Sequence, residues 1–373
     1  MLNTFFEIYD VELKTISPVF IGNGQEIRKF EYVHNKYKKE LLMLDVPKMY
    51  SYLCESNKEK AFENYIQNPR IDLIEWMQMQ RISEEKLDDW TRYRLQIKDA
   101  SIEKGSKLQI MSFVKDAYGL PYIPGSSLKG MLRTILLSYD IHLNKDKYCD
   151  VKDAFERINS GVRKSILAKE NREIEHLSFN QLDRTKEKYD AVNDIMSGMI
   201  ISDSEPLKLE DLTLCSKIEC FPNGKTKSIN ILRESIKPET SVKFRLKIDR
   251  NIFKYSVKYI EEAISYFATQ YYDNFVDKFM ADIDTPGNGI VWLGGGVGFT
   301  SKTTVYPLFN REAVSIIKNI FDKTGVQSVH NHSRDIKLGV SPHILKVTRY
   351  NGRMYQFGMC RINFQPHKVN TVF

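Results

Sequence analysis

Cysteine is scarce, and no CxxC pair occurs. The five cysteines, Cys54, Cys149, Cys215, Cys220 and Cys360, are scattered along 373 residues. Their odd number and spread exclude a disulfide framework and fit reduced thiols in a cytoplasmic protein. Cys215 and Cys220 bracket four residues, a spacing some zinc sites use, but no second pair accompanies them. They read as small packed side chains, and no metal site is expected. Long apolar runs are also missing. The uncharged stretch 285–301 is broken by glycines and is no membrane span. Glu7 and Asp10 interrupt the opening segment before a cleavable apolar core forms, so no secretory leader is expected. HExxH, GxSxG, HxE…CxxC and the kinase set are all absent. A near-match to a P-loop at 296–303 fails because Ser301 stands where glycine must precede Lys302, and Phe299 defeats a GxGxxG reading.

What is present is a chain long enough for two domains, or one ornate one. Hydrophobic residues at 42% and aromatics at 12% exclude disorder. Lys and Arg number 55 against 48 Asp and Glu, a net charge of +7. That modest excess fits one basic groove better than a uniformly basic coat or tail.

Alternation of Val11, Leu13 and Thr15 with Glu12 and Lys14 predicts a half-buried strand running to a turn at Ile21-Gly22-Asn23-Gly24. A second strand is expected near 39–44, helices within 51–66 and 83–95, and a strand over 108–114. Pro121, Pro124 and Gly125 forbid regular structure before Ser126. Beyond it Leu128, Met131, Leu132, Ile135, Leu136 and Tyr139 recur at helical spacing, with Lys129 and Arg133 on the other face. An exposed helix over 150–173 and a short strand at 199–203 follow. In the second half, 241–249 alternates as a strand, helices are expected at 256–283 and 311–322, and strands at 344–348 and 355–362. This order predicts an α+β protein with helices packed on antiparallel sheets.

Several residue groups carry chemistry. A helix opening on Pro-Gly-Ser-Ser-Leu-Lys-Gly presents unpaired N–H groups that attract anions. Gly125 and Gly130 let a backbone approach, Ser126 and Ser127 add hydroxyls, and Lys129 and Arg133 add charge; a plain serine-capped helix explains the same pattern. Gly294, Gly295, Gly296 and Gly298, followed by Lys302, fit either a backbone passing close to a phosphodiester chain or a plain turn. Lys243, Arg245 and Lys247 read as a solvated strand face, with a third cationic group as the alternative. His330 and His332 read as loop histidines, and Asp45 and Asp203 as isolated acids in turns, since metal-assisted phosphodiester cleavage needs clustered carboxylates.

The segment Tyr122-Ile-Pro-Gly-Ser-Ser-Leu-Lys-Gly-Met-Leu-Arg133 resembles the hallmark of CRISPR RAMP proteins. The turn at 21–24, Ile201-Ser202-Asp203-Ser204, residues 293–299 and the ending Ser-Pro-His-Ile-Leu-Lys-Val-Thr-Arg-Tyr-Asn-Gly with Tyr355 and Gly358 agree. Order and length are similar to the fifth, end-capping subunit of type III-A Csm complexes. The resemblance implies two RAMP-type ferredoxin-like, RRM-related domains. They would cover 1–204, with helical insertions at about 47–105 and 140–190, and 205–373 with the glycine-rich loop. It implies a non-catalytic subunit that holds the 3′ part of the crRNA, ends the stack of backbone subunits and assists crRNA maturation in antiviral defence. Implied partners are crRNA, backbone RAMP subunits, the small subunit and, indirectly, target RNA, with no membrane and no cofactor. Related backbone subunits cut target RNA with an aspartate in the loop after the first strand; here residues 23–29 contain none, so no catalytic residue is carried over. An endoribonuclease trimming the crRNA intermediate, and a protein-only scaffold, are the alternatives.

Guide binding that tolerates any spacer must rest on phosphate and sugar. The residues expected to touch RNA are Arg28, Lys29, Gly125, Ser126, Ser127, Lys129, Arg133, Gly294, Gly295, Gly296, Gly298 and Lys302. No RNP1 motif is present, so shape and charge carry the reading.

Overall fold

The computed structural model describes residues 6–68, 71–100, 109–157, 167–280, 287–324 and 331–368. The first half runs β1 (Phe6–Thr15), β2 (Gly22–Ile27), β3 (Tyr32–Asn35), β4 (Glu40–Leu44), α1 (Val46–Glu55), α2 (Glu59–Gln67), α3 (Leu73–Met79), α4 (Lys86–Trp90), β5 (Thr91–Gln96) and β6 (Gln109–Phe113). It continues with α5 (Gly125–Leu143), α6 (Cys149–Glu156), α7 (Ala168–Phe179) and β7 (Met199–Ile201). The second half holds β8 (Leu212–Cys220), β9 (Thr226–Ile236), β10 (Ser241–Asp249), α8 (Val257–Asn274), β11 (Ile290–Trp292), α9 (Val305–Phe309), α10 (Ala313–Lys323) and α11 (Asp335–Leu338). It ends in β12 (Leu345–Tyr350), β13 (Arg353–Gln356) and β14 (Met359–Pro366).

Three sheets result. The first has order β11-β14-β1-β10-β7 and is antiparallel throughout. The second has order β13-β12-β8-β9-β6-β2, antiparallel except for the parallel pair β6–β9. The third, β3-β4-β5, pairs two strands that precede the expected first insertion with one inside it. Alternation works as expected in β1 and β10: Val11, Leu13, Val242, Phe244, Leu246 and Ile248 are buried, while Glu12, Lys14, Lys243 and Arg245 face out. The buried faces share one apolar cluster with Leu128, Leu132, Ile135 and Leu136 of α5 and with Ile260, Ile264 and Phe267 of α8. That cluster continues through the second sheet. The expected boundary at 204/205 falls between β7 and β8, and both large sheets take strands from either side of it.

Some expectations are corrected. The turn at 21–24 is instead the start of β2, which carries an irregular register against β6 between Gly22 and Glu26. The region 51–66 is two helices, and 83–95 is the short α4 followed by a strand. In β5, Arg92 and Arg94 point out while Leu95 is buried against β4 partners, a period-2 pattern hidden among charges. β3, β4 and the helices α1 to α4 share a second core built on Val33, Leu53, Phe62, Trp76, Met77 and Trp90. The 150–173 helix is in fact α6 and α7, with 158–166 outside the described residues. The last expected strand divides into β13 and β14. Cys215, Cys220 and Cys360 are buried free thiols, and Cys54 and Cys149 are exposed ones. Among the described residues no helix is long and apolar enough to cross a membrane.

Candidate nucleic-acid interface

The motif blocks pair up in space as two clasps. In the first, α5 begins where Pro124 fixes the backbone, and the Gly125 N–H donates to Asp203 Oδ1 at 2.8 Å. Ile123 N–H donates to Ser204 Oγ at 2.9 Å, and Ser204 N–H donates back to the Ile123 carbonyl at 3.0 Å. A Cβ on Gly125 would stand 2.4 Å from the carbonyl oxygens of Ile201 and Ser202. The anion that the first N–H of this helix holds is therefore the protein's own Asp203 carboxylate, and the glycine is required by strand contact. Ser126 remains exposed and Ser127 half-buried.

Arg133 is likewise engaged inside the chain. Its guanidinium donates to Glu175 Oε2 from Nε at 3.0 Å and from Nη2 at 2.7 Å, and to Asp194 Oδ2 from Nη1 at 2.7 Å. It also lies over the Phe179 ring, 4.2 Å from the centroid. In place of a solvent-facing cation, Arg133 rivets α7 and the segment before β7 onto α5. Lys129, one turn earlier, is half-buried, and its ammonium pKa is lowered by desolvation and by Arg133 against the pull of Asp194. Lys29 is committed too: Nζ donates to the carbonyls of Tyr65 at 2.9 Å, Asn68 and Ile71 at 3.3 Å, and lies over the Tyr65 ring. It satisfies carbonyls at and beyond the end of α2, where a cation complements the helix dipole. Arg28 is exposed.

The second clasp joins the start of β2 to the glycine-rich bend after β11. Gly295 N–H donates to the Phe20 carbonyl at 2.7 Å, Leu293 N–H to that of Gly358 at 2.8 Å, and Gly358 N–H to that of Pro18 at 2.9 Å. Gly294 has φ +94° and its absent Cβ would fall 2.3 Å from the Phe20 oxygen. Gly296, at φ +96°, leaves room for the Arg233 guanidinium, which an added Cβ would approach to 2.2 Å.

Arg233 is the residue that sequence reading missed. It lies on β9 between the rings of Phe20 and Phe357, 5.2 and 5.3 Å from their centroids. Its Nε and Nη1 are buried and have no hydrogen-bond partner among the described residues. Desolvation lowers its pKa. Lys302, exposed at the end of the bend, is lowered by desolvation and by the Arg233 charge. Half-buried Lys217 of β8 is lowered by desolvation, then by Lys346 and Arg233. Glu219, the carboxylate acting on Lys217, is already held by Lys346 at 2.5 Å. Cations that depress one another beside an amide-rich bend make a crease fitted to a polyanion. Only alternation on β8 and β9, read together with their pairing, could have placed Lys217 and Arg233 beside the bend.

The bend also borders a cavity of about 460 Å³ that α5 shares through Thr134 and Leu137, α7 through Asn171 and Glu175, and Lys302 with Thr303. The structure thus brings Lys302 towards the middle of α5 rather than its start. Lys243 and Arg245 lie opposite Glu12 and Asp10 across the β1–β10 pair, with Arg245 Nε 3.7 Å from Asp10, and Lys247 lies over Phe6. Lys243 and Arg245 are exposed, as a solvated strand face requires, with acids opposite them across the pair, while Lys247 is half-buried. Asp45 caps α1 by accepting from Lys48 N–H at 3.0 Å. His332 lies in the loop before α11, as expected, but is buried there against Asp335, and His330 lies outside the described residues.

The RAMP superfamily matches residues 12–301, a span that includes both clasps' glycine segments. The chain belongs to that superfamily. It is 26% identical to the CRISPR system protein Csm5 of Mycobacterium tuberculosis over 98% of this chain and 99% of the relative. It is 27% identical to Csm5 of Enterococcus italicus over 96% and 98%. Among solved structures, it is similar to a chain of a type III-A Csm–crRNA–target RNA ternary complex, at a TM-score of 0.65 with 19% identity, covering 95% of this chain and 100% of that one. It is also similar to the T. onnurineus Csm5 crystal structure, at 0.59 and 18%, covering 94% and 99%. At those identities the structures establish the ferredoxin-like RAMP fold.

Proposed function

We propose that the chain is a non-catalytic crRNA-binding subunit of a type III-A CRISPR effector complex in the cytoplasm. It caps the backbone filament at the crRNA 3′ end and assists crRNA maturation, with backbone RAMP subunits as neighbours and target RNA met through the guide. The observation that carries this reading is the match to proteins named Csm5 along nearly the whole of both chains. The crease of Arg233, Lys217 and Lys302 supports RNA contact: partly desolvated, mutually repelling cations with orphaned guanidinium N–H groups are costly until an anion docks. Asp45 and Asp203 support the non-catalytic role, since each is occupied in accepting a backbone N–H.

The test is reconstitution of the effector complex with and without this chain, followed by sizing of the crRNA. With the chain present the guide is trimmed at its 3′ end; without it the intermediate accumulates. The purified chain alone, given labelled intermediate with or without divalent metal, leaves it intact. Clean shortening by the purified chain would establish the endoribonuclease alternative instead.

A further inference from the structure

His332, Asp335 and His343 converge in the segment between α10 and β12. Asp335, at the first position of α11, is fully buried, His332 precedes it by three residues, and His343 arrives on the approach to β12. His332 Nδ1 lies 2.9 Å from Asp335 Oδ2, and His343 Nδ1 lies 2.6 Å from Oδ1. One donor atom from each residue falls within 4.8 Å of the others.

The surroundings hold these side chains in place. Ser341 Oγ donates to Asp335 Oδ2 at 2.6 Å. Ser341 is itself pinned by Tyr306, whose hydroxyl donates to the Ser341 carbonyl at 2.9 Å and accepts its N–H at 3.2 Å. Phe321 packs on the His332 ring with centroids 4.5 Å apart, and Phe221 stacks on His343 at 6.2 Å. Ligands oriented by outer hydrogen bonds and an apolar shell characterise built metal sites.

The donor chemistry narrows the ion. Two imidazoles and one carboxylate suit zinc and its first-row neighbours, whereas magnesium and calcium select oxygen. A neutral imidazole that carries its proton on Nε2 offers Nδ1 as a lone pair, so both rings can turn the same nitrogen to an ion without a net charge change. Metal–ligand bonds of about 2.0–2.2 Å put tetrahedral ligand atoms roughly 3.3 Å apart. The two spacings, 2.9 Å from His332 to Oδ2 and 2.6 Å from His343 to Oδ1, therefore open by about 0.4 and 0.7 Å when an ion binds.

We propose that His332, Asp335 and His343 bind a divalent transition-metal ion of the zinc class, which clasps α11 to the start of β12. This site lies beyond the RNA-binding reading and does not rest on it.

The experiment uses the tag-free full-length chain, stripped with a chelator and dialysed. Zn²⁺ is titrated in competition with a chromophoric chelator, Co²⁺ uptake is followed by its visible absorption, and the melting midpoint is recorded with Zn²⁺ and with Mg²⁺. The expected result is one equivalent of Zn²⁺, a Co²⁺ spectrum of a nitrogen- and oxygen-ligated ion, and a midpoint raised by Zn²⁺ but not by Mg²⁺. His343→Ala, which removes the most exposed of the three ligands, should weaken binding by more than the ~10- to 100-fold that loss of an outer-shell partner costs. If stripped wild-type chain takes up well under one equivalent, or His343→Ala binds as tightly as wild type, the cluster is a hydrogen-bonded clasp only and the proposal is overturned.

Discussion

Gly125 and Gly130 stand five residues apart in one motif, and the structure separates them completely. At Gly125 any Cβ would strike two carbonyl oxygens 2.4 Å away, whereas at Gly130 nothing lies within 4 Å. Gly125→Ala should therefore destabilise the protein by about 1–3 kcal/mol, as overpacking does. Gly130→Ala, an exposed interior position of α5, should stabilise it by roughly 0.5–1 kcal/mol. Urea midpoints for the two variants check this, and equal shifts of the same sign would refute the clasp. From sequence both glycines suggest close approach to a ligand backbone. What the sequence conceals is that Gly125 approaches the chain's own residues 201–202, because that contact joins positions about 75 residues apart.

The same concealment operates among elements. The apolar stripe of α5 and the alternation of β1 and β10 are local periodicities, and they were legible. The start of β2 was not, because its glycines mimic a turn until β6 supplies a partner. Charges were the least legible of all. Arg133 and Lys29 resemble free cations in one dimension, yet Glu175, Asp194 and the carbonyls near the end of α2 claim them. Arg133→Met keeps much of the side chain's apolar stem over Phe179 but removes hydrogen bonds to two carboxylates. It should lower stability by about 1.5–3 kcal/mol. Proteolysis should then release α7 from α5 before the sheets open. Unchanged stability, together with a loss of RNA affinity, would return Arg133 to the interface.

For the molecule as a whole, the α+β class and the RAMP resemblance were readable from the order of motif blocks, while the way the halves interlock was not. Strands from both sides of residue 204 share each large sheet, so the clasp at Asp203 and the clasp at Phe20 tie sequence-distant segments into one core. The hallmark motifs mainly build that frame, and the frame sets Lys217, Arg233 and Lys302 beside an amide-rich bend. The most direct test is ultraviolet crosslinking of the assembled complex to its crRNA, with the attached peptides identified by mass spectrometry. Crosslinks should fall on peptides carrying Lys217, Arg233 and residues 294–302, at nucleotides near the guide's 3′ end. Crosslinks confined to the outer strand face of Lys243, Arg245 and Lys247, or found at the guide's 5′ end, would contradict the account.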